Sequence, residues 1–566
     1  MKNNLTGVLA TALAVTMILP TGAKVFSESK TTVVAGEELA SQELKKIAAE
    51  KAELLTKSHG ANSVQYALID NGKLILSGQT GKNDMEGRQQ LTKDTLYGIG
   101  SVSKMYATAA VMKLVDEGKV DLDAPVARYI PDFKMKDSRY KRITPRMLLN
   151  HSSGLQGSTL GNAFLFNDND TYAHDALLQQ LSNQNLKADP GAFSVYCNDG
   201  FTLAEILVER VSGMGFTEFL HQSFTEPLKM NHTKTPQDKW RDENRAGLYF
   251  PAYQGQLPIE SVNVIGTGGI SSTAEDMVRF SQLFMGQGKG ILSDKVVKAM
   301  EQEEYKKGMW PGNGDNIFNY GLGWDSVNLY PFSEYGIKAL AKGGERTYLK
   351  ESAYKSYPGL GQNVMTHYLA EKIEDNVLSK KTAAAWAKRE GVKFYLVNEK
   401  FSSIQYLVQP KLLTTQINRK EGPAGYWDGR KITGPNTATH QLQIPVMNGR
   451  DTTETNFYTE GGNEYMEMAG LLYVSESNVK PIDIGQSSKV TLGENGHAKW
   501  FTIPQAATEK MITVTLPSKG SFAVYDEKGV CVNFTIVSGN NKVKLPKNGT
   551  IVFAGAPKSE FAISVK

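Results

Sequence analysis

The sequence predicts an α+β domain, with an antiparallel sheet flanked by helices plus a helical subdomain, followed by a β-rich barrel or sandwich. Three observations carry this. A helix pattern and a hairpin signal stand together near the N-terminus; helical periodicity dominates to about residue 225; and from about residue 395 short apolar runs recur between turn residues. At 566 residues the chain exceeds what one compact core organises. The expected divisions are 1–23, a signal peptide; 24–60, an N-terminal helical segment; 61–392, the α+β domain; and 393–566, the β-rich accessory domain.

The elements justify themselves in order. Lys2 precedes an apolar run from Leu5 to Pro20, and Thr21-Gly22-Ala23 supplies small residues for cleavage. The run is short for a membrane span, and no cysteine follows it to take a lipid. The expectation is a secreted or cell-wall-associated protein with no transmembrane anchor after cleavage. Residues 40–55 place apolar side chains at helical spacing. Asn71-Gly72 sits between two apolar runs, a hairpin signal. A helix is expected from Ser101 to Glu117, stopped by Gly118. Another starts after Thr273, with Glu275 and Asp276 read as surface acids of its first turn. Strand-like runs then begin at Phe394, Met511, Phe534 and Ile551.

Composition narrows the chemistry. Apolar residues make up 40% of the chain and charged residues 22%, an ordinary globular balance. A net charge of +4 without a basic, aromatic-laced stripe gives no case for nucleic acid as a partner. The two cysteines, Cys197 and Cys531, fall in different expected domains, so no disulfide framework is expected. The eight histidines are scattered, with no Cys/His zinc spacing and no His-Glu-x-x-His. No metal and no cofactor is indicated.

The stretch Tyr97-Gly98-Ile99-Gly100-Ser101-Val102-Ser103-Lys104 carries the most chemistry. Ser101 and Lys104 stand one helical turn apart on one face. A serine hydroxyl needs a proton acceptor to become a nucleophile, and a desolvated lysine can serve. The pattern alone is weak, because Ser27/Lys30, Ser138/Lys141, Ser352/Lys355 and Ser477/Lys480 share it. None of those opens a comparable apolar helix. Two further places offer partners. Tyr196 and Asn198 flank Cys197: a tyrosine near cations can be driven towards phenolate and handle the serine proton, and the asparagine can hold an amide. Lys342-Gly343-Gly344-Glu345 sets a lysine beside glycines that admit a ligand close to the backbone, after a strand-like run at 335–341. His151, in Asn-His-Ser-Ser-Gly, reads as a structural loop residue and Cys197 as a small buried spacer.

Ser-x-x-Lys, Tyr-x-Asn and Lys-x-Gly in this order resemble the class C β-lactamase and penicillin-binding-protein (DD-peptidase) superfamily of serine hydrolases. Met147-Leu-Leu-Asn-His-Ser-Ser-Gly-Leu and Gly268-Gly-Ile-Ser-Ser-Thr-Ala-Glu-Asp-Met extend the likeness across residues 60–345. The resemblance implies a β-lactamase-like fold for 61–392 and acyl transfer through an ester on Ser101. Lys104 and Tyr196 would share acid/base work, and Asn198 would contact the substrate amide. Lys342, with Gly343 and Gly344, would bind substrate, the lysine meeting its carboxylate. The backbone N–H groups of Ser101 and Glu345 would form the oxyanion hole. Implied substrates are small molecules or peptides: a D-amino-acid peptide, peptidoglycan included, a β-lactam, or a small ester or amide.

The chain departs from the family after Gly344. Arg346, Lys350, Glu351 and Lys355 stand where an apolar sheet strand is expected. Burying them unpaired would cost on the order of several kcal/mol each. A catalytically weak wall- or peptide-binding protein with a degenerate site is therefore the alternative expectation.

Overall fold

The computed structural model describes most of residues 30–327 and 388–565; residues 1–29, 328–387 and shorter stretches, among them 240–244, 250–255, 305–319 and 398–411, lie outside it. The expected signal peptide, the strand-like run at 335–341, Lys342, Gly343, Gly344, Glu345 and the charged residues after them fall in those parts.

Helix α1 (Lys30–Ser58) leads into the antiparallel hairpin β1 (Ser63–Asp70) and β2 (Lys73–Gly81). Its turn is Asn71-Gly72, at φ 45° and 73°. A two-residue hairpin with left-handed φ at both positions matches the right-handed twist of its strands, which is why this dipeptide marks it. The α-helices that follow among the described residues are α2 (Ser103–Asp116), α3 (Pro145–Leu149), α4 (Tyr172–Asp175), α5 (Leu177–Ser182), α6 (Asn198–Ser212), α7 (Phe216–Leu220), α8 (Ala274–Ser281) and α9 (Asp294–Met300). Helices α1 and α8 lie against the hairpin.

The main core is built on α2 and α6. Residues 103–112 of α2 are all buried, and α6 presents Phe201, Leu203, Leu207 and Val208 to the same cluster. A helix enclosed on every side is apolar all round, and the alanines of α2 let its neighbours approach closely. Gly118 at φ 70° follows its last turn, as the sequence predicts. The helix opens two residues later than expected: Ser101 lies in a tight turn, Gly100–Val102, that feeds directly into it.

Two short strand pairs frame the region ahead of α2. Tyr97–Gly98 (β3) pairs with Ser271–Ser272 (β6), and Phe164–Phe166 (β4) pairs with Glu260–Val262 (β5). Between β5 and β6 runs a wide helical turn, Ile265–Gly269. A Cβ on Gly269 would collide with the Val262 carbonyl, so only glycine fits this close backbone approach.

One expectation on α8 needs correcting. Thr273 caps the helix as predicted, accepting the Asp276 N–H at 3.3 Å, but Asp276 is fully buried, not a surface acid. Its carboxylate accepts the His232 N–H at 2.7 Å and the Thr233 hydroxyl at 3.1 Å, and pairs with Arg279 at 2.6 Å. Three donors offset the desolvation that made burial look unfavourable.

From Lys393 the described chain is strand-rich. Strand β7 (Lys393–Leu396) pairs antiparallel with Leu412–Asn418 and Leu471–Ser475 inside a nine-stranded sheet. Between Lys480 and Val565 a five-stranded and a four-stranded sheet share one core. Val514, Val543 and Ile563 of one meet Phe522, Ile551 and Phe553 of the other, so the last part is a sandwich. Phe166 and Leu257, from the first part of the chain, belong to one apolar cluster with Phe394, Tyr395 and Trp500. No helix among the described residues is long and apolar enough to cross a membrane.

Candidate active site

Gly100, at φ 49°, turns the chain from β3 so that half-buried Ser101 lies one residue before the N-terminal cap of α2. Ile99 donates its N–H to the Ile270 carbonyl at 2.9 Å, and the Ser103 hydroxyl accepts the Ile270 N–H at 3.1 Å. These bonds tie the start of α2 to the strand that leaves the Ile265–Gly269 turn.

Lys104 is fully buried. Its Nζ donates to Ser101 Oγ at 3.2 Å and to the Thr267 carbonyl at 2.7 Å. It also stands 4.9 Å from the Tyr196 ring centroid and 5.5 Å from that of Phe201, within cation–π range. The ammonium is thus aimed at the serine by a carbonyl below it and aromatic rings beside it.

Tyr196 is 7% exposed and stacks on His151, with ring centroids 4.4 Å apart and planes at 25°. His151 holds a left-handed backbone, φ 63°, and its Nδ1 accepts the Cys197 N–H at 3.0 Å. The imidazole therefore braces the segment that carries the tyrosine, in keeping with a structural reading. Cys197 is buried and its Sγ donates to the Gly157 carbonyl at 3.3 Å, the spacer expected of it. Asn198 opens α6, and its carbonyl accepts the Thr267 hydroxyl at 3.0 Å. Asp199 accepts both the N–H and the hydroxyl of Thr159 at 2.8 Å, fixing α6 against the 151–159 loop.

The Ser101/Lys104 pair and the Tyr196/Asn198 pair, far apart in sequence, thus come together: Lys104 faces the Tyr196 ring, and Thr267 bridges Lys104 and the Asn198 carbonyl. The partners expected at Lys342, Gly343, Gly344 and Glu345 lie outside the described residues. Residue spacing did not point to Thr267, whose carbonyl and hydroxyl touch Lys104 and Asn198. Its glycine-rich surroundings, Gly266-Thr267-Gly268-Gly269, were the available signal for close backbone packing.

A second group went unread in the sequence. His174 of α4 and Glu205 and Glu209 of α6 place donor atoms within 4.8 Å of one another. Each is already engaged: His174 pairs with Glu209 at 3.1 Å and Asp175 at 2.8 Å, Glu209 accepts the Phe216 N–H at 3.0 Å, and Glu205 accepts the Gly266 N–H at 2.7 Å. Burial pushes the Glu205 carboxyl up to about 7 against the opposing pull of His174. Burial works against the His174 cation, yet its bond to Glu209 and the fields of Glu205 and Glu209 lift it to about 10.

The sign of the pH dependence follows. A histidine raised from 6.5 to about 10 on folding contributes stability that is complete below pH 6.5 and lost as pH rises through 10. Glu205, raised from 4.5 to about 7, loses its contribution over that lower interval. The melting temperature is expected to fall between pH 6.5 and 10 in the wild type and to fall less in His174→Gln. Parallel curves in thermal melts would contradict the pairing.

Ser-x-x-Lys thus stands at the head of a buried helix of this α+β core, with Tyr-x-Asn beside it. The Beta-lactamase family model matches residues 44–356, more than half of the chain, and the chain belongs to that family. Among similar proteins, protein flp of Staphylococcus aureus (strain MW2) is 26% identical over 295 residues, covering 48% of this chain and 58% of its own length. Penicillin-binding protein 4* of Bacillus subtilis (strain 168) is 25% identical over 290 residues, covering 48% and 61%. The chain thus spans about three fifths of these relatives. Solved structures with partial likeness include EstCE1, a hydrolase with promiscuous acyltransferase activity, at TM-score 0.44 and 20% identity over 51% of this chain and 85% of that one. A class C beta-lactamase in complex with cefoxitin follows at TM-score 0.41 and 22% identity over 50% and 75%.

Proposed function

We propose that this chain is a secreted serine hydrolase that works by acyl transfer through an ester on Ser101. The observation that carries the reading is the contact of buried Lys104 Nζ with Ser101 Oγ at 3.2 Å, beside the Tyr196 ring. In the proposed cycle, the Lys104–Tyr196 pair, holding one proton fewer than an ammonium plus a phenol, accepts the Ser101 proton as Oγ attacks the substrate carbonyl. The same proton is returned to the leaving group as the tetrahedral intermediate collapses and the bond between the carbonyl carbon and the leaving group breaks, leaving the ester on Ser101. Water then gives a proton to the same pair and attacks the ester carbonyl, and that proton passes to Ser101 Oγ as the ester C–O bond breaks and the acid leaves. Asn198 holds the substrate amide, Lys342 with Gly343 and Gly344 takes its carboxylate, and the N–H groups of Ser101 and Glu345 stabilise the oxyanion. The substrate is a D-amino-acid peptide, such as those of peptidoglycan, a β-lactam, or a small ester or amide. In this reading 1–23 is a cleaved signal peptide, 24–60 an N-terminal helical segment, 61–392 the hydrolase domain and 393–566 a β-rich accessory domain.

A fluorescent penicillin and a chromogenic ester test the reading together. Covalent labelling of the wild type and its loss in Ser101→Ala are expected. No label and no ester turnover would instead favour the catalytically weak binding protein suggested by Arg346, Lys350, Glu351 and Lys355.

A further inference from the structure

We propose that Glu205 is a positioning residue for acylation: its carboxylate holds the Ile265–Gly269 turn so that the Thr267 carbonyl stands under Lys104. The inference rests on the Ser101–Lys104 reading above and deepens it.

A carboxylate only 2% exposed in the middle of a core helix is costly and calls for a structural partner. Its partners are the first amides of the turn. Glu205 Oε2 accepts the Gly266 N–H at 2.7 Å, and the Ile265 N–H also bonds to the carboxylate. These are amides that a helical turn cannot satisfy from within, because no earlier turn supplies carbonyls to accept them. One residue further on, the Thr267 carbonyl receives Lys104 Nζ at 2.7 Å. The Thr267 hydroxyl meets the Asn198 carbonyl at 3.0 Å and the Thr202 hydroxyl at 2.9 Å. Gly266 sits tightly as well: a Cβ there would lie 3.0 Å from that of Ala107. The turn is therefore wedged between α2 and α6, with Glu205 as its acceptor from α6 and Lys104 as its donor from α2. His174 of α4 and Glu209 of α6 lie beside the same carboxylate, and His174 pairs with Glu209 at 3.1 Å.

The consequence is that Glu205 never touches substrate or Ser101 but sets where the Lys104 ammonium points. Misplacing an acid/base group by about 1 Å can cost on the order of 100-fold in rate. Removing the acceptor releases two amides and lets the turn shift, so the loss should appear in the chemical step.

The test compares the wild type with Glu205→Met, which keeps bulk and loses the acceptor, Glu205→Gln, which keeps an acceptor oxygen, and Glu205→Asp, which withdraws the carboxylate by one methylene. Single-turnover acylation by a chromogenic ester is read at saturating ester, at least 10 degrees below each melting temperature. Glu205→Met should acylate roughly tenfold more slowly or worse, with KM within about threefold, and Glu205→Gln should recover most of the rate. Wild-type acylation by folded Glu205→Met, with only its melting temperature lowered, would overturn the proposal and leave a packing role. Should Glu205→Met fail to fold, Glu205→Asp decides: slower acylation at unchanged KM supports the proposal, and a wild-type rate overturns it. Ser101→Ala run in parallel keeps the two readings apart, since acylation that survives in it would overturn the nucleophile assignment instead.

Discussion

Replacing Lys104 by methionine is expected to lower the acylation rate by about 1,000-fold, roughly 4 kcal/mol of transition-state stabilisation. Lys104 is bonded to Ser101 Oγ at 3.2 Å and is fully buried. Methionine fills nearly the same volume and can lie against the Tyr196 and Phe201 rings that flank the ammonium at 4.9 and 5.5 Å. The structural cost is the unpaired Thr267 carbonyl, about 1–3 kcal/mol. A folded variant with a slow chemical step is the expected result, read by stopped-flow ester acylation and thermal melts together. A rate within about threefold of the wild type would remove Lys104 from the mechanism.

The second large effect is expected from Tyr196→Phe. The substitution removes one oxygen and keeps the ring that stacks on His151 at 4.4 Å. If the phenol shares the proton with Lys104, acylation should fall by about 100-fold with little change in stability. If the ring serves only to wall in Lys104, the rate should survive. A folded Tyr196→Phe variant with the wild-type rate at every pH would leave the tyrosine a packing role.

The parts of the fold legible in the sequence were those set by local chemistry. Asn71-Gly72 specifies its hairpin because few other residues accept two left-handed positions in succession. The run after Ser103 reads as a helix because apolar and small side chains dominate it from Met105 to Met112. Tyr196 and Asn198 were legible as a pair through their spacing around Cys197 and the order of motifs along the chain. Thr267 was not, because its contribution to Lys104 is a backbone carbonyl, and any residue type carries one. Asp276 read as a surface acid because its donors come from His232 and Thr233, more than 40 residues earlier, and no local pattern announces them. The same reason hid Glu205, whose spacing on α6 is that of a core position and whose partners lie in a turn 61 residues away. In the C-terminal part, alternating runs announced strands but not their pairing; which sheets they join depends on contacts such as those of Val514 with the Phe522 sheet. That is why barrel and sandwich stayed open until the two facing sheets were seen.

The central claim is that Ser101 forms the acyl-enzyme, and intact-protein mass spectrometry tests it most directly. The protein is incubated with a β-lactam and, separately, with an activated ester, and the modified peptide is located by digestion. The account predicts a mass increment equal to the whole β-lactam or to the acyl group, located on the peptide that contains Ser101 and absent from Ser101→Ala. An increment that persists in Ser101→Ala, or a wild-type protein left unmodified by both reagents while turning over neither, would contradict it.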